Sequence, residues 1–152
     1  MTVQITDTEQ KAKITRSILE SLREWFEVDE SREGYIRESA DLTLIAAEDK
    51  GDHIGFLCLR ETGKETVELA VMGILKEYQH KGIGRQLVEK AKELARAQGY
   101  SFMQVKTVKY GVYEDYDKTN LFYRSCGFKE FEVFPEYWDA ANPCQVYVMS
   151  LR

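Results

Sequence analysis

Thr66-Val-Glu-Leu-Ala-Val-Met-Gly-Ile-Leu75 is followed by Lys76-Glu-Tyr-Gln79-His80-Lys81-Gly82-Ile83-Gly84-Arg85 and then by Gln86-Leu-Val-Glu-Lys-Ala-Lys-Glu-Leu-Ala95. The first segment is apolar and β-branched, as a buried strand requires. The second is polar and carries two glycines. In the third, Ile83, Leu87, Val88, Ala91, Leu94 and Ala95 recur at helical spacing, and Gly99 supplies the C-terminal stop. Phe102-Met-Gln-Val-Lys-Thr-Val108 then returns as a strand. A strand–helix–strand unit of this kind predicts a parallel crossover.

Upstream, the pattern is that of a meander. Leu42-Thr-Leu-Ile-Ala-Ala47, a turn at Asp49-Lys-Gly-Asp52, and His53-Ile-Gly-Phe-Leu-Cys-Leu59 read as strand, turn, strand. Thr62-Gly-Lys-Glu65 makes the next turn, so these two strands and Thr66–Leu75 are expected to run antiparallel. Before them, Ile14, Ile18, Leu19, Leu22, Trp25 and Phe26 form one face of a helix, with Thr6, Asp7 or Thr8 as its cap. A second helix is expected from Ser31, burying Tyr35 and Ile36. Downstream, Thr119–Cys126 reads as a short helix stopped by Gly127. Phe128–Phe134 and Gln145–Leu151 read as closing antiparallel strands. The expectation is an α+β domain with helices on both faces of one twisted sheet.

The bulk properties narrow the function. The 152 residues suit a single domain, and 43% hydrophobic with 31% charged residues is an ordinary globular balance. A net charge of −5 lacks the basic face of a nucleic-acid binder. Cys58, Cys126 and Cys144 are odd in number and contain no CxxC pair, which points to a reducing compartment and not to a disulfide framework. The first residues have neither the basic nor the apolar region of a signal peptide, and no apolar run reaches membrane-spanning length. These features predict a cytoplasmic protein with no membrane partner. His53 and His80 have no metal-ligand spacing with the cysteines, so no metal is expected. The cysteines themselves read as small buried hydrophobes.

Gln79–Gly84 lies between a strand and a helix, where unpaired backbone N–H groups and the helix dipole favour an anion. Glycines let those amides approach a phosphate closely, and Lys81 and Arg85 add charge at the rim. The stretch is neither a P-loop nor a dinucleotide fingerprint, since it lacks GxxxxGK[ST] and a third glycine. Gln-x-x-Gly-x-Gly in this setting resembles the acetyl-CoA signature of the GNAT superfamily of N-acyltransferases. Leu121-Phe-Tyr-Arg-Ser-Cys-Gly-Phe128 is similar to that family's later FYxxxGF segment. Both motifs stand in the family's order, and the expected elements follow it over nearly the whole chain. The resemblance implies a GNAT fold of six to seven mostly antiparallel strands, splayed between the fourth and fifth, with acetyl-CoA in the gap.

It further implies an acetyl-CoA-dependent N-acetyltransferase in which an amine attacks the thioester directly, in a ternary complex. The pyrophosphate would lie on Gln79, His80, Lys81, Gly82, Ile83, Gly84 and Arg85. Backbone groups of Met72, Gly73, Ile74 and Leu75 would meet the pantetheine arm and the thioester carbonyl. Glu68 matches the position of the catalytic glutamate in some members and becomes the candidate base; a solvent-facing strand residue is the competing role. The resemblance places the Tyr123 hydroxyl near the thioester sulfur, as the acid for the departing thiolate. Relatives often carry an asparagine seven residues before this tyrosine, where the chain has Tyr116; Asn120, out of that register, is the candidate for the missing contact. Tyr110–Asp117 and Pro135–Cys144, both aromatic and acidic, would border an acceptor channel for a cationic primary amine, small molecule or peptide, or else form solvated loops or a dimer interface. A homodimer stays open. The alternative from another class is a fold relative that senses acyl-CoA without turnover; the presence of Tyr123 and Glu68 favours the enzyme.

Overall fold

The computed structural model describes residues 1–152. Asp7 caps the first helix by accepting from the Gln10 N–H at 3.0 Å. That helix, α1 (Thr8–Ser21), follows a short strand β1 (Thr2–Ile5) that the sequence patterning had not revealed. β1 is only four residues long and pairs antiparallel with β2 (Thr43–Asp49). α1 is also shorter than its apolar stripe suggested. The chain leaves the helix at Leu22, whose carbonyl accepts from both Trp25 and Phe26, and Trp25 is exposed. Helix α2 spans Asp29–Ser39, starting two residues before the predicted Ser31 because Asp29 and Glu30 suit a helix N-terminus. Ile36 is buried as expected, and Tyr35 meets Phe26 edge-on at 6.0 Å.

β2 pairs antiparallel with β3 (Asp52–Gly63) around Asp49–Asp52, where Lys50 and Gly51 both take positive φ, the geometry of a tight hairpin turn. Only two residues then separate β3 from β4 (Thr66–Ile74), which forces an antiparallel return. Helix α3 (Ile83–Ala97) leads into β5 (Phe102–Val108), and β5 lies parallel to β4 with Thr66–Glu68 opposite Phe102–Gln104. The predicted crossover is therefore present, although its ladder is three residue pairs long.

Helix α4 (Glu114–Ser125) begins five residues before the predicted Thr119. Glu114, Asp115 and Asp117 in its first turn carry no apolar period, but they favour the positive end of a helix. Strands β6 (Lys129–Asp139) and β7 (Asn142–Ser150) are likewise longer than expected and meet at Ala140-Ala141. The segment read as a loop from Pro135 is thus a hairpin. Pro135 is tolerated because β6 is an edge strand and the register slips between Phe134 and Asp139. The completed sheet has seven strands in the order β1-β2-β3-β4-β5-β7-β6.

Two compact units make up the chain: Met1–Arg60 with Ala70–Leu94, and Glu61–Leu69 with Ala95–Arg152. In the first, Ile14, Ile18, Leu19 and Leu22 of the α1 region bury against Leu44, Ala46, Phe56, Cys58 and Val71. Gly73 lies on that side, where a Cβ would stand 3.0 Å from Ile18 and 3.2 Å from Leu22 and Phe56. Gly55 faces the other way, with Leu87 of α3 3.5 Å from where its Cβ would be. Helices therefore cover both faces of this part of the sheet. In the second unit, Gln104 and Ser101 bond to Thr62 and Glu65 and fix the β3–β4 turn beside β5.

The absent side chain at Gly73 is a packing requirement. We expect Gly73→Ala to cost about 1–3 kcal/mol in chemical denaturation, because the added methyl overpacks a filled core. Gly63, with open space around it, is the control and should tolerate alanine. Equal effects at the two positions would contradict this account.

Candidate active site

In the first unit, β4 ends at Ile74 and the chain makes one 3₁₀ turn, Lys76–Tyr78. The Leu75 N–H donates to Ile54 O at 2.9 Å, and Gln79 Nε2 returns to Ile74 O, also at 2.9 Å. The motif glutamine thus ties the loop to the strand it has just left. Two of the backbone groups expected to meet a pantetheine arm, the Leu75 N–H and the Ile74 carbonyl, are used in these bonds. Gly73 serves close packing against α1, and the Met72 side chain is half-buried.

His80 and Gly82 both adopt left-handed backbone, with φ of 62° and 83°. Nothing lies within 4 Å of a Cβ built on Gly82, so glycine is required there for conformation and not for room. The first bond of α3 runs from the Gln86 N–H to Gly82 O at 3.1 Å. The first-turn N–H groups at Ile83 and Gly84 precede it, where the helix itself supplies no i−4 carbonyl. Glycine at the cap has no side-chain oxygen to offer them. His80, Lys81 and Arg85 are exposed around this turn, and Lys81 lies over the Tyr78 ring at 5.6 Å. Tyr78 is itself anchored to Asp49 at 3.0 Å. The arrangement is a helix start behind a left-handed glycine, with two cations exposed at its rim, suited to a phosphate or other anion.

The second unit holds Glu68 and Tyr123. Glu68, on β4, is 7% exposed and pairs with Lys106 Nζ of β5 at 2.9 Å. Lys106 also lies over the Tyr137 ring at 5.5 Å. Sequence reasoning missed Lys106, since an alternating strand gives every second side chain the same periodic signal whether or not it has a buried partner. Pairing of Glu68 with Gln104 puts Glu68, Gln104 and Lys106 on one face of the sheet.

Tyr123 lies on the opposite face. Its ring sits among Phe122, Phe128 and Tyr147 at 5.6, 5.7 and 6.3 Å, and Tyr147 shares its face with Val105. Burial, with smaller contributions from Cys126 and Tyr116, raises the Tyr123 hydroxyl well above the usual phenol range. The group stays protonated through neutral and mildly alkaline pH. Glu68 and Tyr123 are therefore not brought into contact with each other.

Asn120 departs from the role expected of it. Its side chain is fully buried, Nδ2 donates to Val108 O at 2.8 Å and Tyr116 O at 2.7 Å, and Oδ1 accepts from the Tyr147 hydroxyl at 2.6 Å. Both amide hydrogens are spent inside the protein, so this residue braces α4 and offers no open donor to a cofactor. Tyr147 gave no sign of this partnership in the sequence, because it reads as one more β-strand aromatic.

The remaining reactive groups are quiet. None of the three cysteines forms a disulfide and all are buried, and burial pushes the Cys58 thiol up to about 12 and raises that of Cys144. His53 pairs with Glu48 at 3.1 Å. No group of three His, Cys, Asp or Glu side chains is placed to hold a metal ion, and no helix is long and apolar enough to cross a membrane.

Residues 40–130 match the family model of the acetyltransferase (GNAT) domain. An uncharacterized N-acetyltransferase of Chlorobaculum tepidum is 31% identical over 104 residues, 66% of this chain and 61% of that protein, so the match leaves over a third of the relative uncovered. A GNAT-family protein of Desulfovibrio desulfuricans superposes with a TM-score of 0.85 at 20% identity, over 100% of this chain and 99% of the other. An aminoglycoside 6'-N-acetyltransferase in complex with coenzyme A superposes with a TM-score of 0.75 at 16% identity, over 100% and 97%. The two superpositions speak for the fold, and the family model for descent: with its glycine loop opening α3 and its Phe-Tyr segment on α4, the chain belongs to the GNAT acetyltransferase family.

Proposed function

We propose that residues 1–152 form a single N-acetyltransferase domain that transfers an acetyl group from acetyl-CoA to a primary amine, by direct attack in a ternary complex. The observation that carries this reading is the start of α3, where the helix opens behind a left-handed Gly82 with Lys81 and Arg85 exposed around the turn. The coenzyme A complex of a protein with the same fold supports the identity of the anion. Acetyl-CoA, as co-substrate, supplies a thioester carbonyl activated toward nitrogen nucleophiles.

The chain's own residues would divide the work as follows. The amides of Ile83, Gly84 and Arg85, with Lys81 at the rim, hold the pyrophosphate. A backbone N–H in Met72–Ile74 donates to the carbonyl oxygen as charge builds on it. Glu68 takes the ammonium proton, directly or through a water, since an alkylamine of pKa about 10.4 must be neutral to attack. Lys106 keeps that carboxylate fixed on its strand face. As the C–S bond breaks, Tyr123 donates its proton to the departing sulfur and regains one through water from the nitrogen, which sheds its second proton, leaving neutral amide and CoA thiol. Its raised pKa makes Tyr123 a reluctant acid in water, so the donation depends on a sulfur that is equally desolvated.

For the acceptor, Tyr110, Tyr113, Tyr137 and Trp138 are exposed aromatics, and Glu114, Asp115, Asp117 and Glu136 lie close to them in sequence. Aromatic faces and carboxylates together attract a cation. A cationic primary amine, free or at the end of a peptide, is the acceptor class this composition favours.

Calorimetry with acetyl-CoA tests the cofactor site first. Wild type should bind at micromolar concentration, roughly −8 kcal/mol, and the folded Gly82→Glu, Gly84→Glu double variant should show no binding. Absence of binding to folded wild type would remove the reading. Tyr123→Phe should lower kcat about a hundredfold or more while leaving acetyl-CoA binding intact; unchanged turnover across pH would end its role as acid. In a panel of amines monitored by CoA release, polyamines and other cationic acceptors should be preferred, and a preference for anionic or bulky apolar amines would contradict the acceptor assignment.

A further inference from the structure

Asparagine is a poor choice for a helix interior, because its amide competes for backbone groups. Asn120 nevertheless occupies the middle of α4, with no exposure at all. A buried amide costs free energy unless it is bonded, and this one is fully engaged. It reaches the last carbonyl of β5 at Val108, the carbonyl one turn back at Tyr116, and the hydroxyl of Tyr147 on β7. The Tyr147 hydroxyl accepts in turn from Arg124 Nε at 3.0 Å, and Arg124 continues to Glu130 at 2.8 Å and over the Tyr110 ring at 5.3 Å. The network therefore clamps α4 against two strands at one height along its axis.

Tyr123 lies one turn further on the same helix, with its ring against Tyr147 and Phe128. Apolar contacts alone would keep α4 buried, yet they tolerate small shifts along and around the helix axis. Hydrogen bonds of 2.6–2.8 Å at Asn120 do not. We propose that the Asn120–Tyr147 hydrogen bond is a positioning device that sets where the Tyr123 hydroxyl points. The inference rests on the role given above to Tyr123. It assigns Asn120 and Tyr147 to the support of the acid and not to contact with the cofactor.

The test uses CoA itself as probe and reads the ultraviolet absorbance of its bound thiolate during a pH titration of the full chain. A correctly aimed Tyr123 hydroxyl stabilises the bound thiolate by hydrogen bonding. Tyr147→Phe keeps the aromatic ring and removes only the hydroxyl. It should lower the thiolate-to-thiol ratio of bound CoA by about tenfold, the effect of one well-formed hydrogen bond, while CoA affinity by calorimetry stays within about twofold of wild type. Tyr123→Phe should lower the ratio at least as far, and adding Tyr147→Phe to it should change nothing more. Asn120→Ala removes the same bond from the helix side and carries the same expectation if Tyr147→Phe fails to fold. An unaltered ratio in Tyr147→Phe, or a loss that adds in full to that of Tyr123→Phe, overturns the positioning role. An unaltered ratio in Tyr123→Phe alone removes the donor role itself, and CoA that fails to bind folded wild type removes the cofactor site, so the separate failures are told apart.

Discussion

A backbone N–H that leaves water must find an acceptor, and this requirement organises the chain. Strand ladders and helices satisfy it almost everywhere. Where α3 begins, the chain turns through left-handed His80 and Gly82 and enters a helix whose cap has no side-chain oxygen. The helix dipole and the exposed Lys81 and Arg85 make this end of α3 electropositive. The turn is rigid: Gln79 holds it to Ile74, and Tyr78 is tied to Asp49. A turn held in one conformation before an anion arrives would lose little entropy on binding it.

Polar burial in the second unit follows the same logic with side chains. Glu68 and Lys106 are both largely removed from water and satisfy each other at 2.9 Å. Asn120 and Tyr147 do so at 2.6 Å, deeper still. Such pairs add little net stability compared with apolar packing, but they penalise every arrangement in which they are broken. They therefore define position more than they hold the fold together. The ion pair occupies one sheet face and the tyrosine–asparagine bond the other, so the Glu68 carboxylate and the α4 side chains are fixed independently on a shared strand framework. The raised pKa of Tyr123 is a consequence of the same burial that fixes its ring.

Much of this was legible in the sequence, for identifiable reasons. Strong periods at Ile83–Ala95 and at Val67–Ile74 carried the crossover, and the Asp49–Asp52 turn followed from residues that accept positive φ. The glycine loop and the Phe-Tyr segment were visible because each needs particular residue types at fixed spacing. The elements that escaped had weak local signals. β1 is too short to show a period, the first turn of α4 is entirely polar or aromatic, and Pro135 disguised an edge strand as a loop.

The sequence by itself determined the order of the elements from α1 onward, the parallel crossover, the place of the glycine turn and the family, because these depend on local propensity and on spacing within a few turns. Only the tertiary structure decided that Lys106 faces Glu68, 38 residues away in the chain, and that Asn120 braces Tyr147, 27 residues away. It also decided that Gly73 is demanded by Ile18, Leu22 and Phe56 and not by its own backbone angles. Partnership between distant side chains depends on register and helix rotation, which follow from packing the whole core. A single residue type at a single position carries no record of them.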